Sequence, residues 1–489
     1  MEQRIVTVME MAMHEKTTMK EKGISLSVLV ENAGKALFDT FIRESGYVPG
    51  QTITVVSGIG NNGADSLVFA KIARESGYPV KIVILGNIRK GSPEMKKLAE
   101  TSDEYTNADK EKELSEAMFD TDYVIDGIFG TGIKRDVDGL EASAIELINT
   151  SRAFVYSLDI PSGIEADTGK VMKTAVMADM TGYVQYLKFG HLCQEGIDFC
   201  GKIREADAGI LFDMKQPVRE IVSLADFNLL VPKRIRNSNK YDYGNILIIG
   251  GSAGMFGAPQ LSAFAAMRSG AGLVTIAIRK EEAPFMTQIY PEVMTAYYEK
   301  PEELVGLLEN KDVVLFGPGF GKADKNGETI VKLLLKSGKP LVIDADGLGY
   351  FKSQLKNAGL KQKIVITPHS GELMRLLDKS REEIYGDVDK SLEELTKRQI
   401  TVILKGPSTF IAGGGRMACS VSGNPGMASA GTGDVLAGIV AAMMARLEDP
   451  FEAAVKATII HSEAGRKAKE VRGESGLMAH DLVDYLPLP

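Results

Sequence analysis

Short aliphatic and β-branched runs, each closed by glycine or a polar residue, alternate with amphipathic stretches from the segment "LVENAGKALFDTFIRES" onward. "TITVVSG", "VKIVILG", "YVIDGIFG" and "FVYSLDIPSG" are continuously apolar rather than alternating. That pattern predicts strands buried on both faces of a parallel sheet. Over residues 212–234, "FDMKQPVREIVSLADFNLLVPKR", the alternation loses definition as prolines and charges enter, which predicts a boundary there. A second series then begins: "YGNILIIGG", "GLVTIAI", "DVVLFGPG", "PLVIDADG", "KIVITPH" and "TVILKGP", separated by helical stretches. Each half therefore predicts an α/β unit, a mainly parallel sheet covered by helices with ligands at the carboxyl ends of its strands. No internal repeat or low-complexity tract is present beyond this shared strand–loop–helix grammar.

A length of 489 residues fits two or three domains better than one core. The chain is 44% hydrophobic and 25% charged, as expected of a globular protein. A net charge of −8 without a basic block argues against nucleic acid, so small anions would need local sites. Cys193, Cys200 and Cys419 form neither an even framework nor a C-x-x-C pair, which suits a reducing compartment. The N-terminal "MEQRIVTVMEMAMHEK" lacks the pattern of a signal peptide and no apolar run spans a bilayer, so a cytoplasmic, membrane-free protein is expected. The five histidines make no H-E-x-x-H or clustered set, which argues against a zinc enzyme.

Candidate chemistry gathers at strand ends. In the second half, Gly250, Gly251 and Gly254 precede a small-residue helix, and Gly317, Gly319 and Gly321 close the "DVVLF" strand. "VITPHSGELMRLL" brings His369 and Glu372 to a third strand end, and "ILKGPSTFI" brings Lys405 and Thr409 to a fourth. Singly, each exit reads as a tight turn. Together with "SAGTGDVLAGIV", where Gly431 and Gly433 free backbone N–H groups at a helix start, they describe a phosphate site. Asp434 stands where a phosphate would be repelled. It caps the helix, or it takes a proton from a hydroxyl that attacks a phosphoryl group in transit. The surrounding Lys405, Glu372 and glycine loops favour the second reading.

Residues 230–489 resemble a ribokinase-like domain of the NAD(P)H-hydrate dehydratase family, through "GGSAGMFGAPQLSAFAAMRSGAGLVT", "GPGFG", "DADGL", "TPHSGELMRL", "LKGPSTFI", "GNPGMASAGTGDVLAGIVAA" and "GLMAHDLVDYLP". Many ribokinase-like kinases carry N-x-x-E where this chain has His369-Ser370-Gly371-Glu372, and the last motif reads Ala479-His480-Asp481 where the family usually has Ala-Ser-Asp. The resemblance implies repair of a hydrated dihydronicotinamide: a nucleotide phosphorylates the added hydroxyl and elimination restores NADH or NADPH. Asp434 maps to the base that activates the hydroxyl. Ala253, Gly319 and His369 map to the hydrate. Lys405, Gly406, Pro407, Ser408, Thr409, Gly431, Thr432 and Gly433 map to the nucleotide and its phosphates. ADP is favoured over ATP as co-substrate, and Mg2+ is expected although the sequence offers no clean ligand cluster for it.

In the first half, "VVSGIGNNGADSLVF" follows a strand and opens a helix. It differs from the G-x-G-x-x-G dinucleotide fingerprint because Asn61 and Asn62 intrude, and two such amides could equally cap the helix. "IDGIFGTGIKRD" supplies Asp126, and "LDIPSGIEADTG" supplies Asp159 and Ser162. Each acid alone reads equally as a turn residue. Together, oxygens from Asn61, Asp126 and Ser162 suit a hard monovalent cation.

Residues 1–215 resemble the NAD(P)H-hydrate epimerase family, with signatures G-x-G-N-N-G, D-x-x-F-G-T-G and D-x-P-S-G. Ala64 and Ser66 replace its usual glycines. The resemblance implies a Rossmann-like αβα sandwich that interconverts the hydrate epimers, because the dehydratase accepts only the S epimer. It implies K+ held by Asn61, Asp126 and Ser162, and hydrate held by Gly60, Asn61, Asn62, Gly63, Ala64, Asp65, Gly130, Thr131, Gly132 and Asp159. Asp159 is the expected proton-transferring group. The expected domains are 1–215 and 226–489, the partners are small molecules, and a homo-oligomer is expected. The rival reading is a ribokinase-like vitamin kinase fused to a Rossmann-like binding module.

Overall fold

The computed structural model describes residues 3–486 except 102–104, 109, 119, 227–232, 288 and 357–361. They form two compact units, Met1–Val218 and Arg219–Pro489. No helix among the described residues is long and apolar enough to cross a membrane.

The first unit is built on seven parallel strands. Across the sheet they run Thr106–Ala108, Val80–Leu85, Ile53–Ser57, Tyr123–Gly127, Phe154–Leu158, Met180–Val184 and Lys202–Ala206. Side chains alternate faces along a strand, so one run feeds two cores. Val55 packs into the core beneath the helix Leu26–Glu44, whereas Val56 joins a second core with Ile145 and Ile148 from the helix Gly139–Thr150. This explains the unbroken apolar runs. Numbered along the chain, the strand order is 3-2-1-4-5-6-7, so direction reverses between Ile53–Ser57 and Tyr123–Gly127. A crevice opens at such a switch point, at the carboxyl ends of the two strands. The loops "GIGNNG" and "DGIFGTG" leave from those two ends.

The second unit carries ten strands ordered Arg219–Ile221, Arg416–Ser420, Thr409–Gly413, Ile400–Leu404, Ile364–Ile366, Leu341–Ile343, Val313–Phe316, Asn245–Ile249, Leu273–Arg279 and Met294–Tyr298. All neighbours are parallel except Thr409–Gly413, which runs against both strands beside it. Arg219–Ile221 lies inside the stretch where the sequence pattern fades. It pairs with Arg416–Ser420, and Arg219, 4% exposed, bonds to Asp389. The switch point falls between Asn245–Ile249 and Val313–Phe316, where "GGSAG" and "GPGFG" depart. One face of the sheet is covered by the helices Gly257–Arg268, Thr432–Met444 and Pro450–Arg472. The first two cross so closely that a Cβ on Gly438 would lie 2.1 Å from the Ser262 carbonyl.

Candidate functional site

In the first unit, a cavity of about 760 Å³ opens at the switch point. Its polar side is made by Gly60, Asn61, Asn62, Asp65, Asp159 and the Gly130–Thr131–Gly132 turn. Its apolar side is made by Met11, Leu29, Val30 and Ala33. Gly60 is the N-cap of the helix Asn61–Glu75, so free N–H groups face this space. The turn closes only with glycine: a Cβ on Gly58 would sit 2.0 Å from the Ile128 carbonyl, and one on Gly63 would sit 2.0 Å from that of Gly58. Gly63 and Ala64 are buried in the first turn of the helix. Ser66, where the family pattern has glycine, bonds Ser57 Oγ at 2.9 Å and the Gly63 carbonyl at 2.8 Å, which ties helix to strand.

Behind the cavity, Asp126 is wholly buried. It accepts from Ser162 Oγ at 2.5 Å, Ser162 N at 2.9 Å and Ser157 Oγ at 2.8 Å. Burial nonetheless outweighs these bonds and pushes its carboxyl above the usual range. The structure corrects the third member of this set. Asn62, not Asn61, stands beside Ser162: its Nδ2 donates to the Phe129 carbonyl at 2.8 Å, the oxygen Ser162 Oγ reaches at 3.2 Å, and to that of Leu158 at 3.2 Å. Those two bonds fix the amide, and leave Asn62 Oδ1 buried without a partner. Asn61 is exposed on the cavity rim, because the phase of the helix turns its neighbour inward.

Asp159 is held in the left-handed region at φ 61°. Its Oδ1 accepts from Val184 N at 3.0 Å and from Lys188 Nζ at 2.5 Å, and the Lys188 side chain is 0% exposed. His191 takes Lys188 N–H on Nδ1 at 3.0 Å, so its Nε2 donates to the Asp159 carbonyl at 2.7 Å. Burial, then Lys188, depresses the imidazole to about 4, which keeps it neutral. No sequence motif marked Lys188 or His191; they follow the strand Met180–Val184, which the hydrophobic pattern did not predict.

In the second unit, Gly431 caps the helix Thr432–Met444 at φ 91°, the left-handed conformation that frees the first N–H groups. Thr432 Oγ1 donates to the Met427 carbonyl at 2.9 Å, and the half-buried His461 bonds the Thr432 carbonyl at 2.9 Å. Lys405 Nζ would lie 3.2 Å from a Cβ on Gly433, which places the ammonium at the mouth of this helix. It bonds Asp344 Oδ1 at 2.8 Å and lies 4.0 Å from Glu372 Oε2. Burial alone would lower its proton affinity, but Asp344 and Glu372 more than offset that and raise it. Asp344, 1% exposed and bonded to Thr367 Oγ1 at 2.7 Å, was visible in the sequence only as part of "DADG". Asp434 completes the group: burial, then Asp344, raises its carboxyl to about 7 against the pull of Lys405.

The other predicted residues gather around this centre. Ser252, next to Ala253, donates to the Gly319 carbonyl at 2.9 Å, so the two switch-point loops are joined. His369 is half-exposed and forms an isolated parallel bridge with Lys405. Its Nδ1 accepts from Glu372 N at 3.3 Å, and Glu372 Oε2 accepts from His369 N at 2.9 Å, a reciprocal helix cap. Gly406, Pro407, Ser408 and Thr409 form the turn into the antiparallel strand, closed by Thr409 Oγ1 on the Gly406 carbonyl at 3.3 Å. Lys405 faces Asp344 and Gly433 at the start of the helix Thr432–Met444. No group of three or more His, Cys, Asp or Glu among the described residues could hold a metal.

Two family models match the chain. One, described as NAD(P)H-hydrate dehydratase, covers residues 246–488, and the other, described as YjeF-related protein N-terminus, covers 26–190. Among similar curated proteins, the bifunctional NAD(P)H-hydrate repair enzyme of Thermofilum pendens is 34% identical over 99% of this chain and 95% of its own. That of Coxiella burnetii is 34% identical over 95% of each. Among solved structures, the ADP/ATP-dependent NAD(P)H-hydrate dehydratase of Bacillus subtilis, co-crystallised with ATP and Mg2+, is 28% identical, with a TM-score of 0.48 over 53% of this chain and 92% of its own.

Proposed function

The chain belongs to the family of bifunctional NAD(P)H-hydrate repair enzymes, and from that premise we propose how its residues carry out the two reactions. The first unit is the epimerase of the hydrate, and the second is the ADP/ATP-dependent dehydratase that returns the S epimer to NADH or NADPH. The observation that carries the mechanism is the placement of Asp434 beside Lys405 at a helix N-terminus.

In the dehydratase, a carboxyl near 7 is a base matched to neutral pH, so Asp434 takes the proton of the hydrate hydroxyl. The hydroxyl oxygen attacks the terminal phosphoryl group, whose bond to the bridging oxygen breaks and releases the nucleotide shortened by one phosphate. Lys405 and the N–H groups opened by Gly431 receive the charge spread over the phosphoryl oxygens. The phosphate then leaves and the ring double bond re-forms on loss of a proton. Ala253, Gly319 and His369 hold the hydrate, and the 406–409 turn with Thr432 and Gly433 holds the nucleotide. Glu372, beside Lys405, is the carboxylate that would hold Mg2+ together with phosphate oxygens and water, and the ion would offset the charge on the phosphoryl group. ADP is the favoured nucleotide. A vitamin kinase would need no partner epimerase, and the full-length relatives support the repair reading over that rival.

In the epimerase, the buried oxygens of Asp126, Ser162, Asn62 and the Phe129 carbonyl suit potassium, and the unpartnered Asn62 Oδ1 is the donor that lacks anything else to bind. The ion would sit behind the Gly130–Gly132 turn and fix one wall of the hydrate pocket. Asp159 transfers the proton. Incubating the protein with hydrated NADH epimers and ADP or ATP, and following recovery of reduced-nicotinamide absorbance, tests the whole reading. Full consumption of both epimers is the expected result. Accumulation of a stable phosphorylated product would return it to the kinase class.

A further inference from the structure

Four carboxyl side chains line the epimerase cavity, one of them Glu141 from the helix Gly139–Thr150. The other three act on one another: Glu15 from the helix Val8–Lys22, Asp65 from the helix Asn61–Glu75, and Asp159 after the strand Phe154–Leu158. One buried ammonium serves them. Lys188 has no exposed side-chain surface, and bonds Asp159 Oδ1 at 2.5 Å and the Val184 carbonyl at 3.3 Å. The two other cations on the cavity border are engaged elsewhere: Lys134 with Glu165 and Asp167, and Arg135 with the Asp136 carbonyl and the face of Phe129. The apolar wall of Met11, Leu29, Val30 and Ala33 keeps the local dielectric low. Adjacent carboxylates in such a place cannot all ionise on one counter-charge. The ion pair singles out Asp159, and no cation among the described residues forms an ion pair with Asp65.

We propose that epimerisation runs between two carboxyl groups, with Asp159 as base, Asp65 as a second catalytic residue acting as acid, and Lys188 as the positioning residue whose ammonium holds the Asp159 carboxyl in place. This rests on the epimerase reading of the unit. The groups facing Asp65 set its state: burial, then Asp159 and Glu15, raise its proton affinity well above the usual carboxylate range, and Lys188 opposes them. Glu15 is raised too, by burial and by Asp159, with Lys188 opposing.

The chemistry needs such a pair. An enamine takes a proton at its β-carbon, so water adds to the ring carbon bonded to nitrogen, and the epimeric carbon carries both that nitrogen and the hydroxyl. Asp159 accepts the hydroxyl proton, the carbon–oxygen bond becomes a carbonyl, and the carbon–nitrogen bond breaks with its electron pair going to nitrogen. Asp65 supplies the proton that nitrogen needs. Rotation about the adjacent carbon–carbon bond turns the other face of the aldehyde inward. Nitrogen then returns its proton to Asp65 as it attacks the carbonyl, and Asp159 hands its proton back to oxygen. Atoms, electrons and protons balance over the cycle, and no co-reactant is consumed.

The test uses the full-length protein, chemically hydrated NADH and no nucleotide, so that the second unit is silent. Each purified epimer is followed by chromatography as it converts to the other. For Asp65→Asn the expected result is a kcat lowered by roughly 10²-fold or more, with KM held within about threefold. Asp65→Glu restores part of that kcat. Wild-type kcat declines as rising pH strips the proton from Asp65, and Asp65→Asn lacks that decline. Near-normal kcat in Asp65→Asn, or a loss confined to KM, overturns the acid role. Should Asp65→Asn not fold, Asp65→Glu and the wild-type profile decide: a kcat level at high pH overturns it equally. Failure of the wild-type protein to interconvert the epimers would instead remove the epimerase reading itself, before any variant is made.

Discussion

Asp434 occupies a position where a helix cap and a general base look alike in sequence, and its neighbours separate the two roles. Asn caps a helix about as well as Asp, so Asp434→Asn as a mere cap would be nearly silent. With Lys405 and Asp344 against it, the same change removes the proton acceptor and should lower dehydration kcat roughly 10²-fold or more. Nucleotide affinity should hold or improve, because a negative charge leaves the phosphate site, and single-turnover rates with titrated ADP read both. The pH profile follows from the carboxyl near 7: the base form is lost as pH falls through that value, so kcat should drop below pH 7 and level off above it. Asp126, Ser162 and Asp159 were legible as strand-end motifs. Which of Asn61 and Asn62 turns inward was not, since adjacent helix residues point about 100° apart and only the packed helix sets their phase. Lys188 was invisible for a different reason. Its meaning comes from burial against Asp159, and Lys188→Met, which strands that carboxylate, should destabilise the first unit by about 3–5 kcal/mol in denaturant unfolding.

At the scale of elements, the helix Thr432–Met444 carries Asp434 and is seated by Gly438 against the Ser262 backbone, with Ser262 Oγ bonded to the Asp434 carbonyl at 2.8 Å. A methyl group there must push the two helices apart. Gly438→Ala should cost about 1–3 kcal/mol and depress dehydration while epimerisation, in the other unit, is unchanged. Thermal unfolding and the two activities measured on one preparation check it. The strand-end loops around Asp126 make the matching case in the first unit. Asp126→Ala removes the single charge among the proposed potassium ligands, so epimerisation should fall and what remains should no longer respond to added K+. Titration of K+ against Na+ with wild type and variant distinguishes this from a plain turn defect. Most elements were readable because their strands are buried on both faces and therefore continuously apolar. Thr409–Gly413 with Arg416–Ser420 was not read as a hairpin, and Arg219–Ile221 not as a strand. Arg219–Ile221 is a short edge piece that buries too little to leave a run, and its register partner lies far along the chain. The two hairpin strands are buried, but the glycines and the arginine between them interrupt their apolar run.

On the whole molecule, each unit has its own sheet, its own cores and its own switch point, so the two activities should separate. Residues 1–215 alone should equilibrate the epimers without nucleotide, and 226–489 alone should consume only one epimer. Complete consumption of both by the second fragment, faster than they interconvert unaided, would end that division of labour. The second fragment loses the Arg219–Ile221 strand, so its melting temperature should lie below that of a fragment beginning at 219. The sequence by itself determined the two α/β halves, the glycine turns and the acids at strand ends, because buried parallel strands and close backbone approaches restrict which residues can stand there. Only the tertiary structure decided which of those groups meet. Asp344 with Lys405, Asn62 with Ser162 and Asp159 with Lys188 are separated along the chain by 29 to 100 residues. They come together because the crossovers deliver separate strand ends to one crevice, where burial and shared counter-charge then set what each group does.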